Sequence, residues 1–231
     1  MARRSRPSLA PQHSFTPAES QYMVLSLCTA NQRMALTKLP PTVLAAVISA
    51  CAAEPVLLNS ERIEKRFGSY SMDVLASAAG LRRSSLFSMS DGERVCRTYA
   101  VVQFADPLGE HCSDAHAKVL AGNSIGAIFR SHGWNVHKQT LHIGSLELPP
   151  GDQVITRLMH IDAPCKLALH VYQLLLAKDA QVLEYATILE THHPDYLSES
   201  DLYELYEYHT IDALPHIAVR EFAALALDHA D

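Results

Sequence analysis

The side chains that could bind a metal are thirteen histidines and five cysteines, and their spacing argues against a metal site. His132, His137 and His142 recur every five residues, and on a strand the last two would face opposite sides of the sheet. His192 and His193 are adjacent and diverge for the same reason. Zinc needs three or four converging ligands, so we expect no metal. The adjacent pair could still border a ligand pocket.

The cysteines are scattered, and no two form a Cys-x-x-Cys pair. An odd number without such pairs favours free thiols in a reducing compartment, so we expect a cytoplasmic protein. The basic start at Arg3 and Arg4 is followed by Pro, Gln and His in place of an apolar segment, which predicts a flexible arm over residues 1–17. The longest apolar run, Val43 to Ala53, is about half of the ~20 residues that span a bilayer.

Charge is distributed unevenly along the chain. The net charge is −6, which disfavours a general nucleic-acid binder because phosphate contacts need a basic surface. About half of the lysines and arginines lie between Arg62 and Lys138, whereas from Glu184 onward the sole basic residue is Arg220. This pattern leaves two interpretations open: a small anionic ligand held inside, or a solvated acidic C-terminal helix beside an ordinary surface.

The elements that must position these side chains follow from hydrophobic periodicity. Ser90-Asp91-Gly92-Glu93 lies between two β-type runs and predicts a hairpin. Further β-type runs cover 134–146, 155–160, 167–176 and 182–189, and helical patterns begin at Thr42, Glu61, Ser113, Ser124, Ser198 and Leu214. With 48% hydrophobic residues the chain can bury a large core. We therefore predict an α+β fold with an antiparallel sheet and helices packed on it.

Four segments in a fixed order resemble the chorismate pyruvate-lyase (4-hydroxybenzoate synthase) family, whose fold is shared by the UTRA domains of some bacterial repressors. They are Ser60-Glu-Arg-Ile-Glu-Lys-Arg-Phe67, the hairpin from Arg82-Arg83 to Val102, Leu120-Ala-Gly-Asn-Ser-Ile-Gly-Ala-Ile-Phe129, and the hairpin from Leu167 to Leu197 with Glu190-Thr-His-His-Pro194. The resemblance implies a sheet that encloses an internal ligand cavity. It also implies a chorismate lyase-like domain over 18–197, with its core at about 39–197, and an acidic helical extension over 198–231.

The resemblance also transfers an arginine and a glutamate. The family's hairpin arginine falls on Arg83 or Arg82; we favour Arg83, although the register is open by one residue, and one residue reverses a strand side chain. Arg97 is the arginine across the hairpin. The family's glutamate lies four residues before a proline, as Glu190 does, and Glu184 is the alternative.

The positions enclosing the far side of the ligand would be Ile63 and Ile125. Two departures from the family are visible. Ser124 stands where the family has proline, and Thr191, His192 and His193 are polar where the family is apolar.

These residues suit a ligand with carboxylates. An arginine fork binds a carboxylate bidentately, and a carboxyl group whose pKa is raised by an apolar pocket can transfer protons. The resemblance thus implies elimination of pyruvate from chorismate to give a hydroxybenzoate, without metal or organic cofactor. From the histidine spacing and the scattered cysteines we expect a monomer or weak homodimer. The alternative is a binding or sensing protein of the same fold. Because the ~38 residues before the core lack a helix-turn-helix pattern, the enzyme is favoured.

Overall fold

The computed structural model describes residues 57–78, 80–105, 108, 110–148, 154–178 and 181–206. All of them belong to the unit Thr37–Asp231. The arm predicted for 1–17 and the helices predicted to begin at Thr42 and Leu214 lie outside the described residues. None of the helices in the described ranges is long and apolar enough to span a membrane.

Six strands form one sheet in which every neighbouring pair is antiparallel. Its order is β1-β2-β3-β6-β5-β4. The strands are β1 (Ser71–Ala78), β2 (Leu81–Ser90), β3 (Glu93–Phe104), β4 (Asn135–Leu148), β5 (Cys165–Lys178) and β6 (Gln181–His192). The predicted α+β class with an antiparallel sheet is confirmed. Two hairpins, β2–β3 and β5–β6, meet at the centre where β3 pairs with β6.

The turn between β2 and β3 explains why the hairpin was predictable. Asp91 and Gly92 both have positive φ, 51° and 86°. Two successive left-handed residues are typical of a type I′ turn, whose twist matches that of the flanking strands. An Asp-Gly pair adopts this backbone with little strain, since glycine has no Cβ.

Five α-helices and one 3₁₀ turn lie before, between or after the strands in the described part of the chain. They are α1 (Asn59–Phe67), the 3₁₀ turn Glu110–Cys112, α2 (Ser113–Leu120), α3 (Ile125–Ser131), α4 (Val154–Leu158) and α5 (Glu199–Leu205). The predicted cap of α5 is confirmed, because the Ser198 hydroxyl accepts from the Asp201 backbone N–H at 3.2 Å. The strand predicted for 155–160 is wrong. Ile155 and Met159 are four residues apart and both buried, which is helical spacing.

Four of the helices, α1, α2, α3 and α5, pack on one face of the sheet in two groups. The larger apolar cluster joins Val102, Tyr172 and Ile188 of the sheet to Val119 of α2 and Phe129 of α3. The smaller cluster joins Leu86, Ile143 and Ala168 of the sheet to Ile63 of α1 and Leu202 of α5. We call this side the helical face. Polar side chains occupy the sheet between the two clusters.

Candidate functional site

A pocket lies on the helical face between the two clusters, and every strand of the sheet contributes to it. Its volume is about 90 Å³. The polar side chains in its wall belong to Asn59, Ser60, Tyr70, Arg82, Ser84, Ser124, Lys138, Tyr172 and Glu190. The remainder of the wall is apolar or glycine. Polar groups converging in an apolar wall are the usual composition of a small-molecule site.

The first residues of α1 and α3 meet over the pocket. Arg130 of α3 donates through Nη1 to both carboxylate oxygens of Glu61 in α1, at 2.9 Å each. A Cβ on Gly126 would collide with the side chain of Leu58. Glycine at this position therefore permits the close approach of the two helices, and Ile125 beside it lines the pocket.

Glu190 of β6 forms an ion pair with Lys138 of β4, and both side chains are almost fully buried. Lys138 Nζ lies 3.1 Å from Glu190 Oε2, and the side chains are 11% and 7% exposed. The lysine crosses the intervening strand β5 above the Tyr172 ring, with Nζ 4.3 Å from the ring centroid. The other carboxylate oxygen, Oε1, accepts from Asn59 Nδ2 at 3.4 Å. Both carboxylate oxygens of Glu190 therefore have a polar partner.

This environment keeps Glu190 ionised at neutral pH. Burial raises the pKa of Glu190, but the Lys138 ammonium and the His192 and His170 rings outweigh it and lower that pKa to about 2. Burial likewise opposes the charge on Lys138, yet the Glu190 carboxylate raises the lysine pKa well above its usual value. The expectation that an apolar pocket would raise the glutamate pKa is not met, because the pocket supplies a buried cation.

Arg82 lies at the opposite end of the pocket, where β2 meets α2 and α3. Its Nη1 donates to the backbone oxygens of Val119, at 3.0 Å, and Asn123, at 2.9 Å. The side chain is 2% exposed. No carboxylate of the described residues pairs with it, and its Nε has no hydrogen-bond partner there. A buried cation without a counter-ion is costly, so this end of the pocket favours an anionic ligand group.

The β2 register decides between the two candidate arginines. Arg82 pairs with Val102, and both side chains line the pocket. Arg83 pairs with Val101 and projects from the opposite face. Our preference for Arg83 as the inward residue is therefore corrected to Arg82. The sequence pattern could not choose between the two arginines, because the strand is buried on both faces from Ser84 to Ser88 and its apolar and polar residues do not alternate there.

The remaining candidates separate in space. Glu190 and Ile125 line the pocket, whereas Arg97, Ile63 and Glu184 are absent from its wall. Arg97 packs on Phe67, with Cζ 4.1 Å from the ring centroid, and donates to Ser88 Oγ at 2.8 Å.

The other two candidates that are absent from the pocket wall lie elsewhere in the fold. Ile63 is fully buried in the smaller apolar cluster, and Glu184 is half-buried on β6 beyond Ala186. The structure thus brings Arg82, Ile125 and Glu190 together.

Lys138 and Asn59 were missed in the sequence. Lys138 sits in an alternating run, where a lysine normally indicates the solvent side of a strand. Asn59 precedes the expected start of α1 and was not distinguished from loop residues. No spacing in the sequence connects either residue to Glu190.

The described residues contain no group of three or more His, Cys, Asp or Glu side chains that could hold a metal ion. The comparisons with known proteins add no assignment. No family model matches the chain, and no curated protein and no solved structure matches it.

Proposed function

We propose that the protein is a chorismate lyase-like enzyme that eliminates pyruvate from chorismate to leave a hydroxybenzoate. One observation supports this most strongly: a buried arginine without a carboxylate partner among the described residues and a buried, ionised glutamate face one small pocket. By the strand pairing, Arg82 and Glu190 are two strands and two residues apart. That separation is about 12 Å between Cα atoms, and their side chains reach inward from both ends.

Arg82 supplies the counter-charge for the ring carboxylate. Its Nε is buried without a hydrogen-bond partner among the described residues, and its Nη1 is fixed by two backbone carbonyls. A guanidinium anchored in this way is oriented before the ligand arrives, so little conformational entropy is lost on binding. The carboxylate in turn compensates a cation that burial otherwise penalises.

Glu190 acts first as a base in this scheme, because it is ionised before the ligand enters. The carboxylate takes the proton from the hydroxyl-bearing ring carbon, which is next to the carbon that carries the ether, the C–O bond to the enolpyruvyl group breaks, and the ring becomes aromatic. The same proton is then delivered to the methylene carbon of the leaving enolpyruvate, which gives pyruvate. No atom is gained or lost, and aromatisation supplies the driving force.

Lys138 contributes a second positive charge near the leaving group. By formal charge, Arg82, Lys138 and Glu190 together give the pocket a net charge of one positive unit. The second carboxylate of a ligand with two carboxylates would bind Lys138 as well. Its binding would weaken the ion pair between Lys138 and Glu190.

The alternative function is a non-catalytic protein that binds a small aromatic or anionic metabolite. It is favoured by the same charge count, because a single carboxylate would neutralise the pocket without disturbing the Lys138–Glu190 pair. In that case a hydroxybenzoate binds and chorismate is left unchanged.

The two functions are separated by incubating the purified protein with chorismate and following both products by chromatography. We expect pyruvate and hydroxybenzoate in equal amounts, with formation lost in Glu190→Gln. Tight binding of hydroxybenzoate with no pyruvate above the background of chorismate alone would establish the binding protein instead.

A further inference from the structure

A chain of buried hydrogen bonds, separate from the Lys138 ion pair, leads to Glu190. The Tyr196 hydroxyl donates to Asn59 Oδ1, and Asn59 Nδ2 donates to Thr98 Oγ1 at 3.1 Å. Thr98 Oγ1 lies 3.0 Å from His192 Nδ1. His192 Nε2 then lies 3.9 Å from Glu190 Oε2.

The chain favours one tautomer of the His192 ring. A threonine hydroxyl has one proton to donate, and among the described residues its only partners are Asn59 and His192. Asn59 donates to Thr98, so the hydroxyl proton is directed to His192 Nδ1. The neutral ring therefore carries its proton on Nε2, which faces Glu190.

The electrostatics agree with this tautomer. His192 is 1% exposed, and its burial, with smaller effects from neighbouring charges, lowers its pKa to about 4. The ring is thus neutral at physiological pH. With the opposite tautomer, the Nε2 lone pair would face the Glu190 carboxylate and repel it.

We propose that His192 is a positioning residue for Glu190, presenting its Nε2–H as a second partner for Oε2 when a ligand draws Lys138 away. At 3.9 Å the N–H and the carboxylate are too far apart for a hydrogen bond. A shift of about 1 Å by the carboxylate would bring them to the usual 2.9 Å. The functional role rests on the proposed function, whereas the tautomer does not.

Two features make this role specific to His192. First, Oε2 is the atom shared by Lys138 and His192, while Oε1 stays with Asn59. The carboxylate can therefore exchange one partner and pivot about the other. Second, His192 is one of the polar residues at which the chain departs from the family that it resembles, so the role is not part of that resemblance.

The tautomer is tested by nitrogen NMR of protein with ¹⁵N-labelled histidine rings, with His192 assigned from the signal that His192→Gln removes. We expect a neutral ring at pH 7 with its proton on Nε2 in the wild type. In Lys138→Met the Nε2–H resonance should move downfield, as the hydrogen bond to Glu190 forms. A proton on Nδ1, or a doubly protonated ring at pH 7, would overturn the inference, whatever the outcome with chorismate.

Turnover of chorismate tests the role, with three substitutions that separate the two ring nitrogens. Gln places an amide N–H near the position of Nε2, Asn places one near Nδ1, and Phe retains the ring shape alone. We expect His192→Phe and His192→Asn to lower kcat about 100-fold with KM nearly unchanged. His192→Gln should recover most of the loss. Equal activity of His192→Gln and His192→Phe would reduce His192 to packing and refute the positioning role.

Discussion

Replacing Lys138 by Met tests how much the buried ion pair holds the site together. Methionine has similar length and no charge, so the substitution preserves most of the volume while leaving Glu190 without its nearest cation. Both side chains of the pair are about nine-tenths buried. Removing one partner of a buried pair leaves an uncompensated charge, which typically costs 3–5 kcal/mol.

The pKa of Glu190 gives a second figure for the stability that its charged surroundings supply. Its pKa of about 2 against an ordinary 4.5 corresponds to about 3 kcal/mol of stability. Since the folded-state pKa lies below the unfolded value, this stability is present at neutral pH and is lost as the pH falls from about 4.5 to about 2. Without Lys138, burial remains as the largest influence and raises the Glu190 pKa. The carboxylate of the variant then takes up a proton as the pH falls, and the cost of the substitution shrinks.

Urea unfolding at pH 7.5 and pH 5 measures the free energy of unfolding that the substitution removes at each pH. We expect Lys138→Met to lose roughly 3–5 kcal/mol at pH 7.5 and clearly less at pH 5. The matched control is Lys166→Met. Lys166 lies at the same 3.1 Å from Glu147, but both side chains are about two-thirds exposed, so the loss should stay below about 1 kcal/mol. If Lys138→Met costs no more than Lys166→Met at pH 7.5, the account of the pocket electrostatics is wrong.

Three further substitutions test other parts of the account. Glu190→Gln keeps the side-chain shape, so hydroxybenzoate should still bind in calorimetry while turnover falls roughly 10²–10⁴-fold; unaltered turnover would exclude Glu190 from proton transfer. Arg82→Ala should weaken hydroxybenzoate binding by about 2–4 kcal/mol, with Arg82→Lys a partial rescue, whereas equal losses from Arg83→Ala would contradict the register. Gly92→Ala should cost about 1 kcal/mol in urea unfolding because its φ is 86°, and a neutral result would argue against the type I′ turn.

The sheet could be predicted because its signals are local. Asp91-Gly92 specifies a turn through backbone conformation, and Ser198 with Asp201 specifies a helix start. The strand prediction for 155–160 was wrong because a short apolar run fits either a strand or a helix. Ile155 and Met159 are buried on α4, and only tertiary packing decides which pattern prevails.

The site was only partly predictable, because its main contacts join distant strands. Arg82 and Arg83 differ by one residue, and the choice depends on the pairing of β2 with β3 at Val102. Lys138 reaches Glu190 across a whole strand, so no spacing in the sequence connects them. The Glu190 pKa reverses from the expected direction for the same reason, since an unforeseen lysine and two histidine rings together outweigh burial.

The central claim is that Glu190 and Arg82 convert chorismate rather than merely hold an anion. A single-turnover experiment tests it most directly, with protein in excess over chorismate and both products quantified after acid quench, so that slow product release cannot hide the chemistry. We predict one pyruvate and one hydroxybenzoate for each chorismate supplied, and formation at least about 100-fold slower with Glu190→Gln at the same concentration. Chorismate recovered intact from folded wild-type protein would contradict the account.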